Sequence, residues 1–359
     1  MKRTSKWMGA ISAGVVMGSL VIGVGNAGAS PYAPPAPAAP VVSAPITEGL
    51  AGPLQFEVSD SGRVLVAQSF SGTVSVVGRD GTVSDLFNDP GVDGVAAGPF
   101  GSTWYTHTDD GVAELRLRFF GQSRTVADLH AYEVSRNPDQ GSTYGLQGLS
   151  AECAALLPPD QGILPYTGGI DSHPYALTPV FGGVLVADAA ANAILFVNYF
   201  GKVSTVAVLP AQAPVTISAE AAAANELPEC TAGASFIAEP VPTDVELGPD
   251  GQLYVSTLPG GPEDPSLGAR GSVYRVNPWT GKSKQIATGF AGATNLAISP
   301  KGTIYVSELF ADQVSKVVGN HGVPVASVPS PSGLEWSRGR LYVGADTFGS
   351  GQLVTISNP

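Results

Sequence analysis

The stretch Thr243–Leu258 reads "TDVELGPDGQLYVSTL", and the stretch Thr294–Leu309 reads "TNLAISPKGTIYVSEL". Seven of the sixteen positions are identical without a gap. Each stretch places a glycine in a tight turn between two short runs of strand-forming residues, which is the pattern of a β-hairpin. The chain therefore contains an internal repeat whose unit is built from hairpins.

The same turn-and-strand pattern occurs six times, anchored at Gly62, Gly101, Gly182, Gly251, Gly302 and Gly339. A short apolar strand precedes each turn, and further strands follow it, so that most units predict four antiparallel strands. Repeats of about forty residues with four strands are typical of a β-propeller. A sandwich would not repeat its turn motif, and a solenoid would have a shorter and more uniform period. We therefore predict an all-β fold, a six-bladed β-propeller.

The two chain ends predict how the ring closes. The last unit stops at "GQLVTISNP" and lacks a fourth strand. The segment Val41–Thr47 resembles the outer strand that leads into the last unit. We expect this N-terminal strand to close the last blade, because an unpaired edge strand is an aggregation hazard.

The N-terminus predicts export. Residues 1–29 combine a short basic start, an apolar run and a small-residue cleavage pattern, which is typical of a signal peptide. Residues 30–45 form a tether rich in Pro and Ala, and residues 46–359 hold the propeller. We expect a secreted, extracytoplasmic protein without a transmembrane segment, since no later stretch is apolar enough to cross a bilayer. In such a compartment the two cysteines, Cys153 and Cys230, favour a disulfide.

Three intervals of the repeat are longer than one blade requires. The surplus lies at residues 129–172, 210–240 and 258–271. The first is rich in Pro and Gly and lacks the turn-and-strand signature, and the second contains the Ala-rich "ISAEAAAANEL", which predicts a short helix. All three positions fall on one face of a propeller, and the disulfide would join two of them. We interpret them as a functional decoration of that face, because binding residues concentrate on loops.

The charge of the chain limits its partners. The formal net charge is −12, and no Lys/Arg cluster occurs outside the signal peptide. Binding to a phosphate backbone requires such a cluster, so we expect no nucleic-acid partner.

Polar residues converge where the inner strands start and the second strands end, at the mouth of the propeller axis. The ligand-binding candidates at these register positions and beside them are Gln68, His107, His173, Tyr175, Asp188, Asp244, Asn295, Glu308 and Ser332. A solvated channel mouth would also be polar, so this pattern does not by itself require a ligand.

Motifs of catalysis are few. The single G-x-G-x-x-G, "GVGNAG", lies in the signal peptide, and there is no G-x-S-x-G. The best enzymatic hypothesis is a metal site in which Asp188, Asp244, Asn295 and Glu308 supply oxygen ligands to Ca²⁺. We name no catalytic residue on sequence grounds.

Several motifs in order resemble the ScyD/ScyE family of exported, NHL-repeat-like propellers. They are "LHAYEVSRNPD", "GGIDSHPYAL", "GGVLVADAAANAILFVNYFGKVSTVAVLP" and "VPTDVELGPDGQLYVSTL", and the similarity runs from Gly49 to Asn358. Where members of the family often have Asn before "PY", this chain has His173. The resemblance implies a fold and an export route rather than a reaction.

The sequence favours a non-catalytic binding or assembly module over an enzyme. We expect a monomer with a protein, glycan or small molecule bound at the axial mouth or at the decorated face. The alternative is a metal-dependent, lactonase-like hydrolase that uses the axial carboxylates.

Overall fold

The computed structural model describes residues 38–359 except 60, 160, 263 and 264. The predicted signal peptide and the first half of the predicted tether lie outside the described residues. No helix in the described part of the chain has the length and apolar character needed to span a membrane.

Almost all regular structure is β. The first strands are β1 (Val41–Val42), β2 (Thr47–Glu48), β3 (Gln55–Val58), β4 (Val64–Gln68), β5 (Thr73–Val77), β6 (Val83–Asn88), β7 (Val92–Ala97), β8 (Thr103–Asp109), β9 (Val112–Phe119), β10 (Gln122–Asp128), β11 (Thr143–Gln147), β12 (Tyr166–Thr167), β13 (Pro174–Val180), β14 (Gly183–Asp188), β15 (Ala193–Asn198) and β16 (Val203–Val208). They are followed by β17 (Val215–Thr216), β18 (Ser235–Ile237), β19 (Pro242–Leu247), β20 (Leu253–Thr257), β21 (Gly271–Val276), β22 (Ser283–Phe290), β23 (Ala293–Ile298), β24 (Ile304–Glu308), β25 (Gln313–Val318), β26 (His321–Ser327), β27 (Leu334–Ser337), β28 (Arg340–Ala345) and β29 (Gln352–Ser357). The helices are α1 (Leu129–Arg136), α2 (Ala151–Ala154) and α3 (Ala219–Ala224), with 3₁₀ turns at Pro99–Gly101, Glu229–Thr231 and Pro265–Leu267.

Most strands form four-stranded antiparallel sheets. Sheet 1 contains β3–β6, sheet 2 β7–β10, sheet 3 β13–β16, sheet 4 β19–β22 and sheet 5 β23–β26. Sheet 6 contains β27, β28 and β29 from the C-terminus together with β1 and β2 from the N-terminus. The first strands of the six sheets, called the inner strands, contact one another in a closed cycle from β3 through β7, β13, β19, β23 and β27 back to β3.

The core lies between neighbouring sheets rather than at one centre. One buried apolar cluster lies at each of the six sheet interfaces. Middle strands are covered on both faces, which is why β14 reads "GVLVAD" and is buried at every position. The outermost strand β6, in contrast, is exposed at most positions.

The N-terminal segment completes sheet 6. Val41 and Val42 pair with Ser357 and Ile356, and Thr47 pairs with Leu353 farther along the same strand, β29. This pairing lies where the sequence predicts it. It covers the edge of β29, whose backbone groups would otherwise be unpaired.

The first two insertions combine into one unit with a sheet of its own, called the cap. Its sheet has the strand order β12-β11-β18-β17, so the strands of the first insertion pair with those of the second insertion and not with propeller strands. The predicted disulfide between Cys153 and Cys230 is confirmed. The third insertion joins the same apolar core, where Leu267 packs with Leu146 and Ile217. The Ala-rich helix is present as α3, whereas α1 and the cap sheet were not predicted.

Candidate functional site

The cap lies on the face that holds the starts of the inner strands, called the mouth face. The turns between second and third strands emerge there as well. Asn192, in the β14–β15 turn, anchors the cap. Its Nδ2 donates to Asp139 Oδ2 at 2.8 Å, and its Oδ1 accepts from the backbone N–H of Val241 at 3.0 Å.

Three of the predicted site residues share one structural role. They end β4, β14 and β24, and each accepts a hydrogen bond from the backbone segment that precedes the inner strand of its own sheet. The pairs are Ala51 N–H to Gln68 Oε1 (2.8 Å), His173 N–H to Asp188 Oδ1 (2.7 Å) and Ala291 N–H to Glu308 Oε2 (2.9 Å). These side chains hold the chain in place as it enters each sheet.

The remaining oxygens of these carboxylates are also satisfied within the protein. Ser172 Oγ donates to Asp188 Oδ2 at 2.6 Å, and Gln313 Nε2 donates to Glu308 Oε1 at 2.9 Å. Burial raises the pKa of Asp188 in spite of these bonds, which lower it.

Asp244 and Asn295 join neighbouring sheets. Asp244 Oδ2 accepts from Leu296 N–H at 3.1 Å, and Asn295 Oδ1 accepts from Leu334 N–H at 3.0 Å. Asn295 Nδ2 donates in turn to Gln55 Oε1 at 2.9 Å. Each of these side chains is buried, so they connect sheets 1, 4, 5 and 6 around the axis. Burial raises the pKa of Asp244 to about 7.

The four proposed metal ligands therefore belong to separate hydrogen-bond networks. Asp244 and Asn295 lie on adjacent inner strands, whereas Asp188 and Glu308 bind the entry segments of sheets 3 and 5. Among the described residues, no group of three or more His, Cys, Asp or Glu side chains is arranged to hold a metal ion.

Two further candidates are engaged elsewhere. Ser332 is fully buried, and its Oγ donates to Pro53 O at 2.9 Å. In the strand pairing, Leu334 of β27 occupies the position that Leu296 occupies in β23. Ser332 therefore lies one residue before the position of Asn295, to which the sequence repeat had assigned it. His107 Nδ1 lies 2.5 Å from Asp89 Oδ1, and Asp89 also binds Arg116.

The remaining two candidates, His173 and Tyr175, form a partly open polar cluster with Asp93. His173 Nε2 lies 2.8 Å from Asp93 Oδ2, and the two side chains are 43% and 17% exposed. The rings of His173 and Tyr175 lie 6.0 Å apart between centroids. A Cβ at position 94 would lie 3.1 Å from the Tyr175 carbonyl oxygen, so glycine at 94 allows β7 and β13 to approach.

The charges around this cluster favour the protonated imidazole. Burial alone would lower the pKa of His173, but the hydrogen bond and charge of Asp93, with the charges of Asp188 and Asp171, outweigh it and raise the pKa. Burial, followed by the charges of Asp93 and Asp244, raises the pKa of Tyr175. A histidine held by a carboxylate and open to solvent can donate or accept a proton.

Sequence reasoning missed Asp93. Asp93 lies where the pairing of β7 with β8 shifts, between Val92 and Val95, one residue before Gly94. An Asp-Gly pair near the start of a strand is a signal that could have indicated a bulge.

Comparisons with known proteins place this geometry in a known architecture. No protein-family model and no curated protein sequence matches the chain. Among solved structures it resembles a streptogramin B lyase (15% identity, 89% of this chain and 97% of that one, TM-score 0.50). It also resembles a candidate gluconolactonase (14% identity, 90% of this chain and 93% of that one, TM-score 0.51). A third similar structure is a candidate oxidoreductase (glucose dehydrogenase) of Thermus thermophilus (15% identity, 88% of this chain and 99% of that one, TM-score 0.52).

The chain has a β-propeller fold. At identities this low, the likeness establishes the fold alone.

Proposed function

We propose that this chain is an exported, six-bladed β-propeller that binds a neutral polar ring, such as a sugar or a lactone, at the His173–Asp93–Tyr175 cluster. The observation that carries the proposal is that this cluster is partly open at the mouth. The neighbouring carboxylates Asp188 and Asp244 are instead occupied by backbone hydrogen bonds.

The chemistry of the cluster selects the ligand class. His173 can donate to a carbonyl or hydroxyl oxygen, Asp93 can accept from a hydroxyl group, and Tyr175 offers an aromatic face. Asp93, Asp171 and Asp188 place negative charge around His173, which disfavours an anionic ligand.

The architecture supports the remaining parts of the proposal. The closed cycle of six inner strands favours six blades, with the cap sheet as an addition outside the ring. The disulfide is of a kind that persists in oxidising compartments and favours a secreted location. The ScyD/ScyE resemblance implies the same fold and export route, and we propose that relationship on those grounds.

A second candidate is an acid–base enzyme acting on the same ligand class. The positioned His173–Asp93 pair favours it, because a half-exposed histidine oriented by a carboxylate is a common general acid or base. The resemblance to a structure described as a streptogramin B lyase agrees with this candidate. The geometry favours an acid–base enzyme over a metal-dependent hydrolase, because Asp188 and Glu308 accept hydrogen bonds from the backbone of the entry segments.

Calorimetric titration with a panel of neutral sugars and lactones tests the proposal. We expect a ligand that binds the wild-type protein and binds at least about tenfold more weakly to His173→Gln and to Tyr175→Ala, since each variant removes one direct contact. The matched control is His321→Gln, an exposed histidine of β26. Equal binding by all four proteins would contradict the site.

Product formation separates the two candidates. Turnover of a bound lactone that is lost in His173→Gln identifies an enzyme. Binding without turnover identifies a binding module.

A further inference from the structure

Five aromatic side chains protrude from hairpin turns of sheets 2, 3 and 4. We call them the aromatic tips. Their exposed fractions are 94% for Phe100, 88% for Phe120, 103% for Phe181, 96% for Phe200 and 90% for Trp279. Aromatic side chains are normally at least half buried in folded proteins. Five almost fully exposed rings therefore indicate an interaction surface.

The aromatic tips lie on one face. Phe100 and Phe181 lie between first and second strands, and the other three lie between third and fourth strands. In antiparallel sheets both kinds of turn emerge at the end opposite the mouth face, and we call that end the turn face.

The turns of the three sheets adjoin one another. A Cβ at position 201 would lie 2.2 Å from Val126 O of sheet 2, and one at position 281 would lie 2.5 Å from Val206 O of sheet 3. Gly201 and Gly281 therefore press each third-to-fourth turn against the outer strand of the preceding sheet. Tyr199 extends the contact, because its ring stacks on Trp104 of sheet 2 with centroids 6.4 Å apart.

The corresponding turns of sheets 5, 6 and 1 are polar or small. They read "PKG" at 300–302, "GNH" at 319–321, "SRG" at 337–339 and "GRDG" at 78–81. The aromatic tips therefore occupy one side of the turn face rather than its whole circumference.

Basic side chains accompany the aromatic tips. Arg124, Lys202 and Lys282 follow Phe120, Phe200 and Trp279 by two to four residues and are exposed. The six turns of sheets 2–4, at 98–102, 119–122, 181–182, 199–202, 248–252 and 277–282, contain one carboxylate, Asp250. Asp250 is paired with Arg275 at 2.8 Å. This part of the turn face is cationic in a chain of net charge −12.

The shape and charge together select the partner. Separate protruding rings do not line a groove that could hold a folded domain. Aromatic rings flanked by Lys and Arg are the residues that sit at the interface of a bilayer, with the rings among the upper acyl chains and the cations at the phosphates.

We propose that the turn face of sheets 2–4 docks on an anionic lipid surface through the aromatic tips and their basic neighbours. The mouth face, with its cap and its His173 cluster, would then point away from the membrane. This inference does not depend on the ligand proposed above.

Vesicle co-sedimentation of the mature protein tests the docking. We expect binding to phosphatidylglycerol-containing vesicles, weaker binding to pure phosphatidylcholine, and a decrease with added salt because the charges are exposed. The fluorescence of Trp279 reports membrane insertion directly. Its emission should shift to the blue on binding, and the shift should disappear in Trp279→Phe, which retains binding.

Variants locate the surface. The triple variant Phe181→Ser/Phe200→Ser/Trp279→Ser should bind vesicles at least about tenfold more weakly, as loss of three inserted rings requires. The control is Phe70→Ser/Phe348→Ser, which removes two exposed rings stacked at 6.1 Å in second-to-third turns of the mouth face. All substituted side chains are exposed, so the melting temperature should not change.

Three results would overturn the proposal. One is wild-type protein that does not bind either vesicle. Another is a triple variant that binds as well as wild type, or a control that loses as much binding as the triple variant. The third is binding to insoluble glycan in the absence of vesicle binding, which would assign the aromatic tips to sugar stacking.

Discussion

Glu133 is a buried acid in the first helix of the cap. It lies in α1 with 1% of its surface exposed, and neither carboxylate oxygen has a hydrogen-bond partner among the described residues. Burial, followed by the charges of Asp188, Asp139 and Asp171, raises the pKa of Glu133 to about 8. At neutral pH this carboxyl group is therefore largely protonated, which avoids an unpaired buried charge.

The raised pKa predicts how stability depends on pH. Between the ordinary pKa of 4.5 and about 8, the folded state holds a proton that the unfolded state releases. Stability should therefore fall as pH rises through this window, by up to about 1.4 kcal/mol per pH unit for this group. Asp244, whose pKa is raised to about 7, acts in the same direction.

Glu133→Gln isolates the contribution of this residue. The neutral amide should make the protein less sensitive to alkaline pH, so the variant should gain free energy of unfolding relative to wild type as pH rises from 5 to about 8. Urea unfolding at several pH values measures the difference. Glu226→Gln, at an exposed position of the cap, should follow the wild-type curve, and parallel curves for Glu133→Gln and wild type would refute the assignment.

At the scale of elements, the cap depends on links between distant segments. Its strands contain two to five residues each, too few for a stable hairpin in isolation. The three helices begin at the N-caps Asp128, Ser150 and Ser218, whose side chains each accept from the backbone N–H three residues later. The disulfide and a shared apolar core hold these short pieces together.

Removing the disulfide should destabilise the cap selectively. The bridge spans 77 residues, and its loss should cost about 4 kcal/mol if the effect is mainly on the entropy of the unfolded chain. Hydrogen exchange of Cys153→Ala/Cys230→Ala should show loss of protection in β11, β18 and α3, with sheet 1 protected as before. Unchanged protection in the cap would show that its apolar core suffices.

For the whole molecule, we expect stability to depend on the pairing that joins the two ends of the chain. Sheet 6 receives strands from both ends of the chain, and β29 pairs with β28 on one side and with β1 and β2 on the other. Without the N-terminal strands, β29 would present an unpaired edge to solvent.

A pair of truncations tests closure. A chain that starts at Gly49 lacks β1 and β2 and should melt several degrees lower than wild type, since each kcal/mol lost shifts the midpoint by about 2–4 °C in a domain of this size. A chain that starts at Pro40 keeps both strands and should melt as wild type does. Equal melting of the two truncations would show that the N-terminal segment is a tether only.

Local sequence signals were enough to predict the repeating part of this protein. The hairpin glycines, the alternation of apolar residues and the unpaired last unit are local signals within about sixteen residues, and local turn chemistry is sufficient to specify a hairpin. The sequence also predicted one closing strand over Val41–Thr47, which the structure divides into β1 and β2, and the Cys153–Cys230 bridge, because each had one obvious partner.

Which polar side chains remain available for a ligand depends on contacts between elements that are distant in the sequence. Asp188 and Glu308 have the residue types of metal ligands, but each accepts from a backbone N–H of an entry segment, 15 and 17 residues away along the chain respectively. Asp93 meets His173 across eighty residues of sequence, from a position at which the pairing of β7 with β8 shifts. The cap sheet pairs segments that carry no alternation of their own. In each case the deciding contact joins two elements, and its geometry is set by how the sheets pack rather than by the residues beside it.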